Sequence, residues 1–151
     1  MLDNAFYIGL YMVILDRKDL SIKHAQFYNT SAEPPKVKRG DGIEVIDDFA
    51  VSNAMARKIK EFGYNYFVVI VSNYNWEQFF SKELAEVLQN CGALNIMEFS
   101  NHFSPKYGNK TTDYNIFDTA IFPKNNLYHP YAFIGIPGLS PGMAFELLRP
   151  N

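Results

Sequence analysis

Apolar and polar positions in the first part of the chain follow the pattern of a β-hairpin. Residues 6–15 are rich in β-branched and aromatic side chains, and residues 16–19 form a charged, turn-like stretch. Residues 21–28 then alternate, with Ile22 and His24 on one side and Lys23 on the other. Two strand-like runs joined by a short turn predict an antiparallel pair of strands.

An amphipathic helix is predicted next. Val51, Met55 and Ile59 recur at helical spacing, which places them on one apolar stripe. Ser52 is a residue type that caps helix N-termini, and Gly63 is of the type that ends helices. The pattern therefore predicts about three helical turns between these two positions.

The run at residues 66–71 is continuously apolar and has no polar face. Such a run predicts a central strand that is buried on both sides, with Val69 and Ile70 both in the core. A second helix follows, beginning near Trp76 or Ser81, and Gly92 ends it. Its apolar stripe consists of Phe80, Leu84, Val87, Leu88 and Cys91.

The remaining segments are shorter. A Pro- and Gly-containing loop is predicted over residues 29–42 and a long polar loop over 99–118. Short strands are predicted at 43–46, 94–98, 119–122 and 131–136, with a strand or helical turn at 143–149. This order predicts an α+β domain, or a two-sheet sandwich with helices packed on it, spanning the single domain 1–151.

Composition narrows the classes of function. The chain has 151 residues, 48% of them hydrophobic, and a net charge of −2. A nucleic-acid partner is not expected, because no basic stripe occurs. Neither a signal peptide nor a membrane span is evident, so we expect a chain made in the cytoplasm, or one released by lysis or carried on a particle. Cys91 is the single cysteine and is expected to be buried.

Several segments resemble one family when they are taken in order. Gly-Leu-Tyr-Met-Val-Ile-Leu-Asp at 9–16 looks like the opening strand of domains of the interleukin-like EMT inducer (ILEI/PANDER) type, and Phe27 stands where their second strand carries a Phe. Residues 68–71 resemble the family's central strand, 88–93 the end of its second helix, and Tyr-Ala-Phe-Ile-Gly at 131–135 its Trp-Ala-Phe-x-Gly strand.

The resemblance implies two twisted, mainly antiparallel β-sheets flanked by two or three short helices, with insertions near 29–42 and 99–118. It also implies no catalytic activity and no cofactor. Known members include secreted signalling-type proteins, glycan-binding stem modules and phage virion proteins. The positions that correspond to the charged sugar contacts of the stem module, within 73–75 and at 127–128, are uncharged here.

One catalytic motif occurs. Residues 138–142 read Gly-Leu-Ser-Pro-Gly and match the G-x-S-x-G nucleophile elbow, so an esterase-like hydrolase that uses Ser140 is a remote alternative. Pro141 argues against it, because a proline lacks the backbone N–H that the residue after the nucleophile donates to the oxyanion. The three histidines lie far apart and no metal-binding spacing occurs, so no metal site is predicted.

Aromatic residues in polar surroundings are the remaining candidates for binding. Exposed aromatic rings suit sugar rings or protein interfaces. The candidates for a ligand platform are Tyr74, Trp76 and Tyr128, and those for a partner interface in the long loop are Phe103, Tyr107 and Tyr114. We therefore expect a non-catalytic structural domain that docks with other protein subunits in a larger assembly, such as a phage tail or surface. A carbohydrate-binding module for cell-surface glycans is the alternative.

Overall fold

The structure is a computed structural model that describes residues 8–30, 36–38, 40–46, 49–74, 76–77, 79–97 and 129–149. These residues form seven strands, two α-helices and a helical turn at residues 95–97. The elements in chain order are β1 (Gly9–Asp16), β2 (Ile22–Tyr28), β3 (Lys36–Lys38), β4 (Glu44–Ile46), α1 (Ala50–Lys60), β5 (Tyr66–Asn73), α2 (Lys82–Gln89), β6 (Tyr131–Gly135) and β7 (Phe145–Leu148).

Five strands form one antiparallel sheet in the order β2-β1-β5-β6-β7. The predicted hairpin is confirmed as β1 and β2, whose register pairs Tyr11 with Phe27. The predicted central strand is confirmed as β5, which lies between β1 and β6. The sheet and the helices together confirm the α+β class.

The segment predicted as a loop over residues 29–42 contains a strand. Its residues 36–38 form β3, which pairs antiparallel with β4 as a separate two-stranded ribbon. The two prolines at positions 34 and 35 suggested a loop, but a proline that precedes a strand does not prevent pairing of the residues after it. A sandwich of two sheets stays a prediction.

The main core lies between one face of the sheet and the two helices. Alternate residues of the three central strands are buried there: Leu10, Met12, Ile14, Val68, Ile70, Tyr131 and Phe133. The helices contribute to the same cluster with Met55, Ile59, Leu84 and Leu88, as their periodicity predicts. Cys91 is buried beside them as predicted, and burial raises the pKa of its thiol to about 12.

The predicted starts of the two helices have different outcomes, and of the two alternatives for α2 the structure selects Ser81 over Trp76. Ser81 caps α2, because its side chain accepts a 3.1 Å hydrogen bond from the backbone N–H of Leu84. Ser52 does not cap α1, which begins at Ala50 and ends at Lys60, before Gly63. The Ser52 hydroxyl is buried within the helix and donates to the carbonyl of Phe79, so it joins α1 to the segment before α2.

The prediction of a strand at residues 94–98 is wrong, because residues 95–97 are helical. Glu146 of β7 explains this turn. Its Oε1 accepts hydrogen bonds from the backbone N–H groups of Leu94 at 2.8 Å and Asn95 at 2.6 Å, and its Oε2 accepts one from Ile96 at 3.2 Å. A carboxylate that accepts the first amides of a helical turn satisfies donors that have no partner within the turn.

The end of α2 packs directly on β6. The backbone N–H of Ile136 donates to the carbonyl of Cys91 at 3.1 Å. Gly135 allows this approach, since a Cβ at that position would lie 2.3 Å from the same carbonyl oxygen. The contact fixes the end of α2 against the sheet. Both described helices lie on this side, and no described helix lies on the opposite side of the sheet.

Candidate functional site

The side of the sheet opposite the helices carries only apolar side chains over its central area. Two rows run across all five strands in register. A shorter third row is counted over β1 and β5 only, because the β1–β2 register shifts where Leu15 pairs with Ile22. The rows are Phe27–Tyr11–Val71–Ala132–Leu147, Ala25–Val13–Val69–Ile134–Phe145 and Leu15–Phe67. Residues two apart on a strand share a face, so these twelve side chains form one surface, which we call the open face.

No described helix or strand covers the open face, and much of it is accessible to solvent. Ala25 is exposed, and so are five large side chains of the face: Leu147 at 38%, Tyr11 at 40%, Ile134 at 44%, Val71 at 46% and Phe145 at 60%. A continuous apolar surface that spans five strands is larger than the scattered apolar residues of an ordinary protein surface, and such patches mark interaction sites.

The open face corrects the prediction that the central strand is buried on both sides. Ile70 is fully buried, as predicted, whereas Val69 is partly buried and Val71 is exposed. A continuous apolar run is compatible with two arrangements. In one, both faces of the strand are covered, and in the other, one apolar face is exposed. The apolar side chains of Val69 and Val71, which suggested a strand buried on both sides, therefore belong to the candidate site.

A groove of about 700 Å³ adjoins one end of the open face. Its lining comes from the turn after β1 and from the segment that leads into β5, and consists of Asp16, Arg17, Lys18, Tyr64, Asn65, Tyr66 and Phe67. The Arg17 guanidinium lies 4.5 Å from the centre of the Tyr64 ring and 5.8 Å from that of Phe67. The sequence identified this turn but gave no signal for the groove, because the two segments meet only through strand pairing.

Trp76, predicted as part of a sugar-binding platform, is instead fully buried. Its indole stacks on the ring of Tyr131 at a centroid distance of 5.3 Å and meets Phe80 edge-on at 5.2 Å. The indole Nε1 donates a 2.6 Å hydrogen bond to the carbonyl of His129. Trp76 therefore has no free ring face for a sugar, and the polar residues beside it in sequence concealed its role in the core.

Of the other two predicted ligand residues, only Tyr74 lies among the described ones, and it is exposed whereas Trp76 is buried. Tyr74 is 61% exposed and has a positive φ of 59°, which places it on a turn just after β5. Tyr128 lies outside the described residues. The three residues predicted for a partner interface, Phe103, Tyr107 and Tyr114, also lie outside them.

Glu77 and His129 form a buried polar pair that sequence analysis missed. Nδ1 of His129 lies 2.8 Å from Oε1 of Glu77, which also accepts a 2.8 Å hydrogen bond from the His129 backbone N–H. Oε2 accepts a 3.0 Å bond from the Trp76 backbone N–H. Burial raises the pKa of Glu77, while these hydrogen bonds act to lower it. The pair connects the segment after β5 to the residue that precedes β6 by two positions.

Ser140 is exposed on the turn between β6 and β7. Its carbonyl accepts a 3.1 Å bond from the N–H of Met143, which closes the turn. Nδ1 of His129 contacts Glu77, and Nε2 of His24 lies 2.8 Å from the Tyr28 hydroxyl.

Within the described part of the chain, no group of three or more His, Cys, Asp or Glu side chains is arranged to hold a metal ion. Among the same residues, no helix has both the length and the apolar character needed to cross a membrane.

Comparison with known protein families and with curated proteins finds no match for this chain.

Proposed function

We propose that this chain is a non-catalytic interaction domain that docks through its open face against another protein subunit of a larger assembly. The observation that carries the proposal is the set of two uninterrupted apolar rows across five strands, with five members at least 38% exposed. Covering such a surface removes apolar area from water, which is the main driving force of protein association.

The chemistry of the open face supports a protein as the occupant. None of its twelve side chains is charged, so it offers no contacts to phosphate groups. Tyr11 supplies the only polar atom among them, and a polyhydroxylated sugar needs more hydrogen-bond partners than one hydroxyl. An apolar protein surface matches the face without leaving buried polar groups unpaired.

The partner surface would take the place of the second layer in a β-sandwich. Sheets stack face to face about 10 Å apart when both inner faces are apolar. The resemblance to ILEI/PANDER-type domains supports a sandwich-like arrangement and a role as an accessory component, for which a phage virion is one setting. The carbohydrate-binding alternative is weakened, since Trp76 of its predicted platform is in the core.

The proposal is tested by placing a charge on the open face. Ile134 lies within the face, between Val69 and Phe145, and is 44% exposed, so the isolated Ile134→Lys variant keeps its ammonium group in water. The matched control is Arg57→Glu on α1, an exposed position on the helix side of the sheet. Each tagged chain is expressed in the source cells, and native complexes are separated by size.

We expect the parent chain and Arg57→Glu to migrate in a large complex, and Ile134→Lys to migrate as the free chain of 17.3 kDa. A parent chain that migrates alone, or an Ile134→Lys variant that stays in the complex, would contradict the proposal. A large loss of thermal stability in isolated Ile134→Lys would contradict it as well, because the face would then be covered within the chain itself.

A further inference from the structure

The groove beside the open face adds a cation to an otherwise uncharged surface. The backbone N–H of Arg17 donates a 2.9 Å bond to the carbonyl of Asn65, which extends the β1–β5 pairing by one residue. Arg17 therefore continues the alternation of Leu15 and projects on the same side of the sheet. Phe67 belongs both to the open face and to the groove lining, so the two surfaces are continuous.

The Arg17 side chain is held in place before any ligand arrives. Its Nη1 donates a 2.8 Å bond to the carbonyl of Tyr64, and the guanidinium lies over the Tyr64 ring. A guanidinium has five N–H donors in one plane, and stacking on a ring leaves that plane's edge accessible. Two parallel donors on that edge match the two oxygens of a carboxylate.

The carboxylates nearest in sequence do not neutralise this arginine directly. Asp16 accepts a 2.8 Å bond from the Lys18 backbone N–H, and Asp19 accepts a 2.9 Å bond from that of Ser21. Within the described residues, neither Arg17 nor Lys18 forms a salt bridge. The turn as a whole has two cations and two carboxylates, so it lacks the broad positive field expected for nucleic acid.

We propose that the groove receives a carboxylate side chain of the docked protein, and that this Asp or Glu borders an apolar segment lying on the open face. This inference rests on the proposed function and specifies its partner. Because the two surfaces are continuous through Phe67, one segment of the partner can supply both the carboxylate and the apolar residues. A segment whose alternate residues are apolar presents them to the sheet while its acidic residue reaches Arg17.

The probes are two peptides that differ by one carboxylate. They are acetyl-Leu-Ser-Val-Ser-Phe-Ser-Asp-amide, in which Asp lies on the same side of an extended chain as the apolar residues, and the same peptide with Asn in place of Asp. Binding to the full chain is followed by NMR, through the Nε–H of Arg17 and the backbone amides of Lys18 and Asn65. We expect the Asp peptide to bind about tenfold more tightly, as a charge-assisted pair in place of a neutral one allows.

Arg17→Gln removes the cation and keeps a hydrogen-bonding side chain of moderate length. We expect this variant to bind both peptides with the lower affinity of the Asn peptide. The matched control is Lys58→Gln, which removes a cation that pairs with Glu61 at 2.8 Å on α1. The control is expected to retain the tenfold preference.

Equal binding of the two peptides, no binding of either, or a preference that survives Arg17→Gln would overturn the inference. Glucuronate that shifts the same signals at lower concentration than the Asp peptide would assign the groove to an acidic sugar and also overturn it. The two proposals fail separately. If Ile134→Lys releases the chain from its complex while Arg17→Gln has no effect on either peptide, the open-face proposal stands and the groove inference fails.

Discussion

The indole N–H of Trp76 donates a 2.6 Å hydrogen bond to the backbone carbonyl of His129, across 53 positions of the chain. The bond joins the segment that follows β5 to the segment that enters β6. These two strands are neighbours in the sheet, so the bond fixes the end of the sheet from which both segments emerge. Its burial beside Tyr131 makes Trp76 a core residue.

Trp76→Phe tests this role. The substitution keeps an aromatic ring but removes the donor, and the buried carbonyl of His129 loses that bond. We expect the free energy of unfolding to fall by about 1–3 kcal/mol in urea titrations. Tyr64→Phe, at a ring that is 62% exposed, is the control and should change it by less than about 0.5 kcal/mol. A Trp76→Phe chain as stable as the control would mean that the bond contributes nothing.

Glu77 should make stability depend on pH. Because burial raises its pKa in the folded chain, the folded state retains the proton where the unfolded state has released it. The contribution of Glu77 to the free energy of unfolding therefore falls as pH rises from 4.5, the ordinary pKa of a Glu side chain, through its raised pKa in the folded chain.

Glu77→Gln removes this titration, although its single amide oxygen replaces the two carboxylate oxygens that accept the backbone N–H groups of Trp76 and His129. The measured quantity is the difference in unfolding free energy between parent and variant as a function of pH. We expect the parent to lose stability relative to the variant as pH rises past 4.5. A difference that is constant with pH would show that the Glu77 pKa is the same in both states.

Glu146 should stabilise the helical turn at residues 95–97. Its carboxylate accepts three backbone N–H groups and also the Tyr131 hydroxyl at 2.6 Å. Glu146→Ala is expected to lower the free energy of unfolding by about 1–3 kcal/mol, and Tyr131→Phe by about 1 kcal/mol. Amide hydrogen exchange at Asn95 and Ile96 should accelerate in Glu146→Ala and remain slow in Tyr131→Phe. Unchanged exchange in both variants would contradict the capping role.

Local periodicity predicted the elements whose contacts are local. The alternation after Asp16 predicted the hairpin, and the spacing of Met55 and Ile59 predicted α1. The start of α1 was mispredicted because the hydroxyl of Ser52 bonds the distant carbonyl of Phe79, which no local rule anticipates. Residues 94–98 were assigned to a strand because the carboxylate that organises the turn belongs to Glu146, far along the chain.

The candidate site depends on the order of the strands in the sheet, which the local sequence pattern does not predict. The apolar residues of β1 were visible, but their alignment with Val71 and Ile134 required the register of three strands. Arg17 was assigned to a simple turn, since its contact with Tyr64 spans 47 positions. Trp76 was assigned to the surface because its neighbours in sequence are polar, whereas its neighbours in space are Tyr131 and Phe80.

Site-specific photo-cross-linking tests the central claim most directly. A benzophenone amino acid is placed at Ile134 on the open face, or at Arg57 on the exposed side of α1 as the control, and cells that contain the assembly are irradiated. Docking through the open face predicts one discrete adduct at Ile134, with the same protein subunit in repeated experiments, and no such adduct at Arg57. Equal cross-linking at both positions, or an adduct only at Arg57, would contradict it.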